Sequence, residues 1–425
     1  MVPNPNPLVS DIPQTLAETK GKLLSVDIAA QKAAAAARTV SDVETVGLAE
    51  ALGRIGASPV LSTINLPSFA NSAMDGYAIN RQCLTGSGPS TLKVCGRVVA
   101  GAADVPRLPA GSAMRIMTGA PIPEGADSVV MQEYCERRGD AIIIRERPAS
   151  GRHIRFPGED VKTGTTLLKR EDLITARHLA LLAACGCASV KVFSKVRIGL
   201  ISTGSELVEP GARLGSGQIF NSNRTYLKAR LDRPWIEIVD YGIQSDDPRK
   251  IQSAVRRAAN SCDIVITTGG VSVGEEDHML DVLRREAADL DVLKVAMRPG
   301  KPVTVGRIGS AQYFGLPGNP YACAITFMQI AWPAIRKTGG LEPRVEGGLK
   351  GVADFHYTSK PGRTEFLPVS WSRTDEYGRP VIERLGRGAS ASLLPFATAR
   401  AIAAVPADID EVRPGDILAL EPVDF

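Results

Sequence analysis

The chain is 425 residues long, and its seven cysteines, Cys83, Cys95, Cys135, Cys185, Cys187, Cys262 and Cys323, are odd in number and contain no C-x-x-C pair. Neither a disulfide framework nor a zinc site follows from that pattern. Cys185-Gly186-Cys187 is the one close pair, and its apolar neighbours read as a helix end. His153, His178, His278 and His356 lack ligand spacing. No G-x-S-x-G is present to anchor a Ser-His-Asp nucleophile. With 50 basic and 46 acidic residues, the net charge of +4 is too balanced for nucleic acid or an anionic membrane to be the main partner. No basic run is interleaved with aromatics, and no apolar stretch reaches membrane-spanning length. The opening residues MVPNPNPLVSDIPQ lack the charged and apolar regions of a secretion signal, so a cytoplasmic location is expected.

The most informative stretch that is present is IVITTGGVSVGEED, residues 264–277. Ile264, Val265 and Ile266 form a short β-branched run that reads as a strand buried on both faces, so the residues after it sit at a carboxyl end of a parallel sheet. Ligands of open α/β sheets bind there. Gly269 and Gly270 let the chain turn with no Cβ and present N–H groups to an oxyanion, followed by Ser272, Gly274 and the acids Glu275, Glu276 and Asp277. Those acids suit a hydrated Mg²⁺. Taken alone, they read more simply as an acidic helix N-terminus.

Three neighbouring segments share this grammar. Residues 198–202 run into TGSEL, 292–297 into RPGKP, and 313–316 into PGNP. Helical patterns lie between them, one starting near Asn221 and one opened by Asp247-Pro248, where Asp is a good N-cap and Pro suits the first turn. The alternation predicts a doubly wound α/β domain. Arg298 and Lys301 put two cations on a stiff loop, which suits phosphate or a small oxyanion, although a surface turn carrying both charges fits as well.

At this length roughly two to four domains are expected. Residues 1–21 are rich in Pro and Asn and read as disordered. Residues 22–43 and 160–194 read as a helical linking region made from both flanks of a β-rich insert at 44–159. The α/β domain occupies 195–340 and a C-terminal β domain 341–425. The overall class is therefore α/β multidomain, with two β modules attached to the central doubly wound domain.

Several longer motifs extend this reading. LPSFANSAMDGYA at 66–78, RIMTGAPIPEGAD at 115–127, GEDV at 158–161, GGVSVGEED, RPGKP and LPGNP, in that order, resemble the molybdopterin molybdenumtransferase family, which includes bacterial molybdenum-insertion proteins and the gephyrin E domain. The resemblance spans roughly residues 24–425. It implies a homodimer of four-part subunits that inserts molybdate into adenylylated molybdopterin with Mg²⁺, releasing AMP, in a cleft between the α/β domain of one subunit and the β domain of the other. A molybdopterin adenylyltransferase upstream and apo-molybdoenzymes downstream are the implied partners. Such chemistry needs an anion pocket, a metal beside a phosphoanhydride and charge-stabilising groups, with no covalent nucleophile.

Carried over by position, the resemblance gives Asp75, Thr118, Arg155 and Asp160 functional roles in the β insert and its flank. In the α/β domain it points to Glu206, Asp246, Asp277, Lys294, Arg298 and Lys301, with Gly269, Gly270, Ser272, Gly274, Pro317, Gly318 and Asn319 contacting the pterin nucleotide. Asp277, Asp246 and Glu206 are the implied Mg²⁺ ligands, and Arg298 with Lys301 the oxyanion ligands. Arg363 and Ser390 of the last domain are implied to reach the molybdate pocket. Each has a plainer reading: Asp75 shaping an Asx turn, Asp246 serving the next helix cap, Thr118 satisfying a turn.

The chain departs from the family pattern at Ala70, where an acid is usual, at Ser205, usually Asp, and at Ala322, often Ser. Altered affinity is expected from these changes more than lost activity. Arg233-Pro234-Trp235 adds bulk before a strand where the family is usually smaller and glycine-bearing, and the sequence offers no explanation for it beyond an adjustment of packing. Alternatives are a non-catalytic pterin-binding scaffold, a specialised copy for tungstate or a dedicated client, and a molybdopterin adenylyltransferase, whose fold resembles the α/β domain alone.

Overall fold

The computed structural model describes residues 23–84, 88–269, 278–286, 289–343 and 348–423. They form two compact units: residues up to Val43 together with those from Phe193 onward, and Glu44–Val192.

The first unit is built on a six-stranded sheet. Its strands are β1 (Val196–Thr203), β2 (Ile236–Gln244), β3 (Ile264–Thr268), β4 (Asp289–Lys294), β5 (Pro302–Ile308) and β6 (Ala311–Leu316), in the order β2-β1-β3-β6-β5-β4. β2, β1, β3 and β6 are mutually parallel, and β5 and β4 complete one edge antiparallel. Ile264, Val265 and Ile266 are fully buried, as their uninterrupted β-branched run predicts for a strand with parallel neighbours on both sides and helices on both faces. Pro248–Ser261 starts as the sequence indicates: Asp247 caps it by accepting from Arg249 N–H at 2.9 Å, and Pro248 opens the first turn. Asn221 likewise caps Ser222–Leu231.

The helix Val26–Ala35 buries Val26, Ala29, Ala30, Ala33 and Ala34, one apolar stripe at helical spacing. The sequence groups this segment with 160–194. In the structure it docks on the α/β domain instead, where buried Gln312 donates to Ala33 C=O at 2.8 Å and Leu24 bonds into the β4 edge at Lys294 and Ala296. Small side chains let the helix lie close to the sheet. The Trp235 ring is buried and lies 5.9 Å from Trp332, so the bulk before β2 is a packing element. Between Pro320–Thr326 and Trp332–Thr338 the helix makes a π turn over Phe327–Ala331. Pro333 follows directly and can neither donate an N–H nor tolerate the carbonyl four residues earlier, which accounts for the widened turn.

The C-terminal strands Thr364–Thr374, Pro380–Arg384, Leu349–Ala353, Ile417–Pro422 and Ala401–Val405 pair in that order, and the last pairs back to the first. The result is a small closed barrel around Leu367, Val369, Ile382, Ala403 and Val405, with no free sheet edge between those strands. Met297–Arg298, from the loop before β5, adds to it as a short parallel strand beside Thr364 and Glu365.

The second unit holds a six-stranded sheet of Ser128–Met131, Gly76–Ile79, Ser112–Ile116, Ser90–Val98, Ala141–Ile144 and Cys135–Arg138. A separate core joins Val46 and Ala51 with Leu167, Leu168, Leu182 and Val192 from beyond the sheet. It contains the helix Ala176–Ala184, which ends at Cys185 with Gly186 at φ +80°, the helix end expected of that cysteine pair. Among the described residues no helix is long and apolar enough to cross a membrane.

Candidate active site

The carboxyl ends of β1, β2, β3 and β6 open into a cleft of about 1230 Å³, closed on one side by the barrel loop carrying Gly388 to Ala391. Chain direction explains this placement: parallel strands leave their C-terminal loops and the following helix N-termini on one rim. After β1, the backbone N–H of Ser205 donates to Asp246 Oδ2 at 2.8 Å, and Asp246 N–H donates back to Ser205 Oγ at 3.2 Å. This reciprocal pair fixes the ends of β1 and β2 together, with Asp246 lining the cleft. Glu206 folds over Gly204, whose φ of +143° only glycine adopts without strain.

Gly269, after β3, has φ +88°, and a Cβ there would sit 2.6 Å from the Thr203 carbonyl oxygen. A Cβ built on Gly318, after β6, would lie 3.9 Å from Gly269 Cα. Two backbones therefore approach closely at the floor of the cleft. Asn223 Nδ2 donates to Gly318 C=O at 2.7 Å, and Asn319 Nδ2 donates to Ser390 Oγ at 3.1 Å. Tyr321 and Ala322 N–H groups donate to Ser390 C=O at 3.0 and 3.2 Å, which ties the barrel loop onto the start of the helix after β6.

Arg298, from the loop between β4 and β5 at the other edge of the sheet from β1 and β2, and Arg363 of the barrel also line the cleft. Arg298 also lies 3.5 Å from the buried carboxylate of Glu365. Of the residues singled out from sequence, the cleft thus collects Glu206, Asp246, Gly269, Arg298, Pro317, Gly318, Asn319, Arg363 and Ser390. Lys294 and Lys301 are exposed on the strand end and loop beside it and do not line it. Gly270, Ser272, Gly274, Glu275, Glu276 and Asp277 lie outside the described residues, as do residues 1–22.

In the second unit the structure joins Asp75 and Thr118 directly. Asp75 Oδ1 accepts both the Thr118 N–H and the Thr118 hydroxyl, each at 2.7 Å. The backbone bond first, then the hydroxyl bond, with Arg115 contributing, holds the Asp75 carboxyl below the usual aspartate range. Arg115 is fixed by donating to Gly76 C=O at 3.2 Å and by stacking 5.1 Å from the centre of the Tyr77 ring. Arg155 is exposed on the short strand that pairs with Asn71 and Ser72, and Asp160 is exposed where its N–H donates to Leu66 C=O.

Sequence reasoning passed over Phe220, Asn221, Asn223 and Glu365. Phe220 is exposed at the cleft lip. Asn221 Nδ2 and Asn223 Oδ1 are buried in its wall with no hydrogen-bond partner among the described residues. Asn221 reads as an ordinary cap, but a second Asn inside the first turn, a poor helix former, is a signal that could have been weighed.

A cleft lined by two carboxylates, two guanidinium groups and glycine backbone has the chemistry to take a polyanionic ligand. Three family models match the chain: the MoeA N-terminal region (domain I and II) over residues 24–186, the probable molybdopterin binding domain over 199–337, and the MoeA C-terminal region (domain IV) over 350–423. The chain is 36% identical over 402 residues to the molybdopterin molybdenumtransferase of Haemophilus influenzae, covering 94% of this chain and 98% of that one. It is 36% identical over 389 residues to the Nostoc protein of the same name, covering 89% of each. The crystal structure of a molybdopterin biosynthesis MoeA protein from Pyrococcus horikoshii superposes with a TM-score of 0.81 at 28% identity, over 94% of this chain and 99% of that one. The protein belongs to the molybdopterin molybdenumtransferase family, enzymes of molybdenum cofactor biosynthesis.

Proposed function

We propose that this enzyme inserts molybdate into adenylylated molybdopterin, releasing AMP. The observation that carries the reading is that Glu206 and Asp246 line one cleft together with Arg298 and Arg363, the acids following β1 and β2 and Arg298 preceding β5 at the other sheet edge. The pterin nucleotide lies along the glycine floor, where Gly269 and Gly318 let a phosphoanhydride approach the backbone. Arg298 and Arg363 hold the incoming tetrahedral oxyanion, and Ser390 orients it from the barrel loop.

Mg²⁺ suits the acids. Glu206 and Asp246 supply two carboxylates, and Asp246 keeps one oxygen clear of its Ser205 bond. An ion of this kind takes one or two protein carboxylates and completes its shell with water and substrate phosphate. When bound, the ion would neutralise charge on the phosphoanhydride. The protein's own part is to fix both anions in place.

Asp75 and Thr118 act, in this reading, in a homodimer, where the second unit of one protomer completes the cleft of the other. The exposed side chains of Phe69, Met74 and Phe156 near that cluster support a protein-covered surface. The deciding experiment supplies purified protein with adenylylated molybdopterin, Mg²⁺ and molybdate and measures AMP. Release that needs both ions supports the proposal. ATP-dependent adenylylation of molybdopterin, or no turnover at all, would replace it with the adenylyltransferase or scaffold alternative.

A further inference from the structure

Glu365 is almost fully buried, at 2% exposure, at the start of a barrel strand. A carboxylate in such a place needs donors for its oxygens. It has two, the Tyr357 hydroxyl and the Lys360 N–H at 3.2 Å, and the Arg298 guanidinium stands 3.5 Å away as an ion pair. Both donors belong to the barrel itself. Burial, with the Glu365 carboxylate beside it, pushes the Tyr357 hydroxyl up to about 12, so it stays a donor at neutral pH. Arg384 covers the other side of that tyrosine, 4.4 Å from the ring centre. The carboxylate is therefore fixed before Arg298 meets it.

Arg298 is different in kind. Its side chain is 48% exposed and lines the cleft, while its backbone pairs with Glu365 in the parallel ladder between Met297–Arg298 and the barrel. A free arginine side chain loses rotamer freedom when a ligand fixes it. With Nη1 held beside a fixed acid, the rest of a half-exposed guanidinium in the cleft lining remains available to a ligand.

We infer that Glu365 is a positioning residue for oxyanion binding, holding Arg298 in the orientation that grips the tetrahedral substrate. The inference rests on the proposed molybdate-inserting function. Two effects oppose each other here. The negative charge of Glu365 weakens the pull of Arg298 on an anion, whereas its geometry prepares Arg298 for one. If charge dominated, neutralising Glu365 would tighten molybdate binding; if positioning dominates, it weakens it.

The test measures initial rates of AMP release against molybdate concentration for wild type, Glu365→Gln, Glu365→Asp, Arg298→Ala and the Arg298→Ala/Glu365→Gln double variant. Both single Glu365 variants are expected to raise the molybdate KM about fivefold to tenfold with kcat within about twofold. Aspartate keeps the charge but falls short of Arg298. In the Arg298→Ala background, Glu365→Gln should add nothing. A molybdate KM that falls or stays unchanged in Glu365→Gln, or wild-type behaviour of Glu365→Asp, overturns the inference. If Glu365→Gln does not fold by near-UV circular dichroism, the KM of Glu365→Asp decides. Absence of molybdate-dependent AMP release in wild type would instead overturn the functional reading.

Discussion

Thr118 gives both its N–H and its hydroxyl to a single oxygen of Asp75, each at 2.7 Å. Two donors on one oxygen favour the ionised carboxylate, and the loop is shaped around that charge. A carboxyl held below its ordinary value stabilises the fold above the unfolded pKa, and that contribution disappears as pH falls through the folded value. In Thr118→Val the hydroxyl is lost but the stronger backbone bond remains. The Asp75 titration, followed by carboxyl-carbon NMR, should move part of the way up toward the usual aspartate range of 3.8 and not beyond it. An unmoved midpoint would show that the hydroxyl bond does not form in solution.

The reciprocal bonds between Ser205 and Asp246 lead to a graded expectation. Ser205→Ala removes one acceptor and keeps the N–H bond to the carboxylate, so the Mg²⁺ concentration for half-maximal rate should change by less than about threefold. Asp246→Asn keeps the shape but removes the charge, and should raise that concentration by about tenfold or more. A Mg²⁺ titration of AMP release separates the two.

Gly269→Ala combines a left-handed backbone with a Cβ aimed at the Thr203 carbonyl. The cost should be about 1–3 kcal/mol, read as a lower thermal midpoint. Gly211→Ala tests the separation of these terms: its φ is +92° but nothing lies within 4 Å of the added methyl, so it should destabilise less.

Buried Tyr321 donates its hydroxyl to the Phe366 carbonyl at 2.9 Å, joining the helix after β6 to the barrel. Tyr321→Phe leaves that carbonyl unpaired and should cost about 1 kcal/mol, measured by urea unfolding. Burial raises the hydroxyl far above the ordinary tyrosine range, so the bond should persist through alkaline titration to the limit of the fold.

What the sequence disclosed and what it hid follow a physical division. The β3 run, the Asp247-Pro248 start and the glycine turn at Gly269 were legible because each depends on neighbours within a few residues: β-branching, an oxygen cap, a φ that needs glycine. Lys301 and Arg298 look equivalent three residues apart. Only Arg298 lines the cleft, because the strand that pairs it with Glu365 comes from a barrel some seventy residues on, roughly speaking, and long-range pairing leaves no local mark. The destination of Val26–Ala35 was hidden for the same reason: an alanine-rich stripe announces a buried face but not the surface that buries it.

The addition of Met297–Arg298 to the barrel makes that module a brace for a loop it does not encode. Trimming the protein to a minimal α/β core would leave those two residues as a bare edge, their amides and carbonyls turned to water. Grafting a relative's C-terminal module should accordingly retune how tightly the catalytic rim grips its anion, while the six-stranded sheet beneath stays as it is.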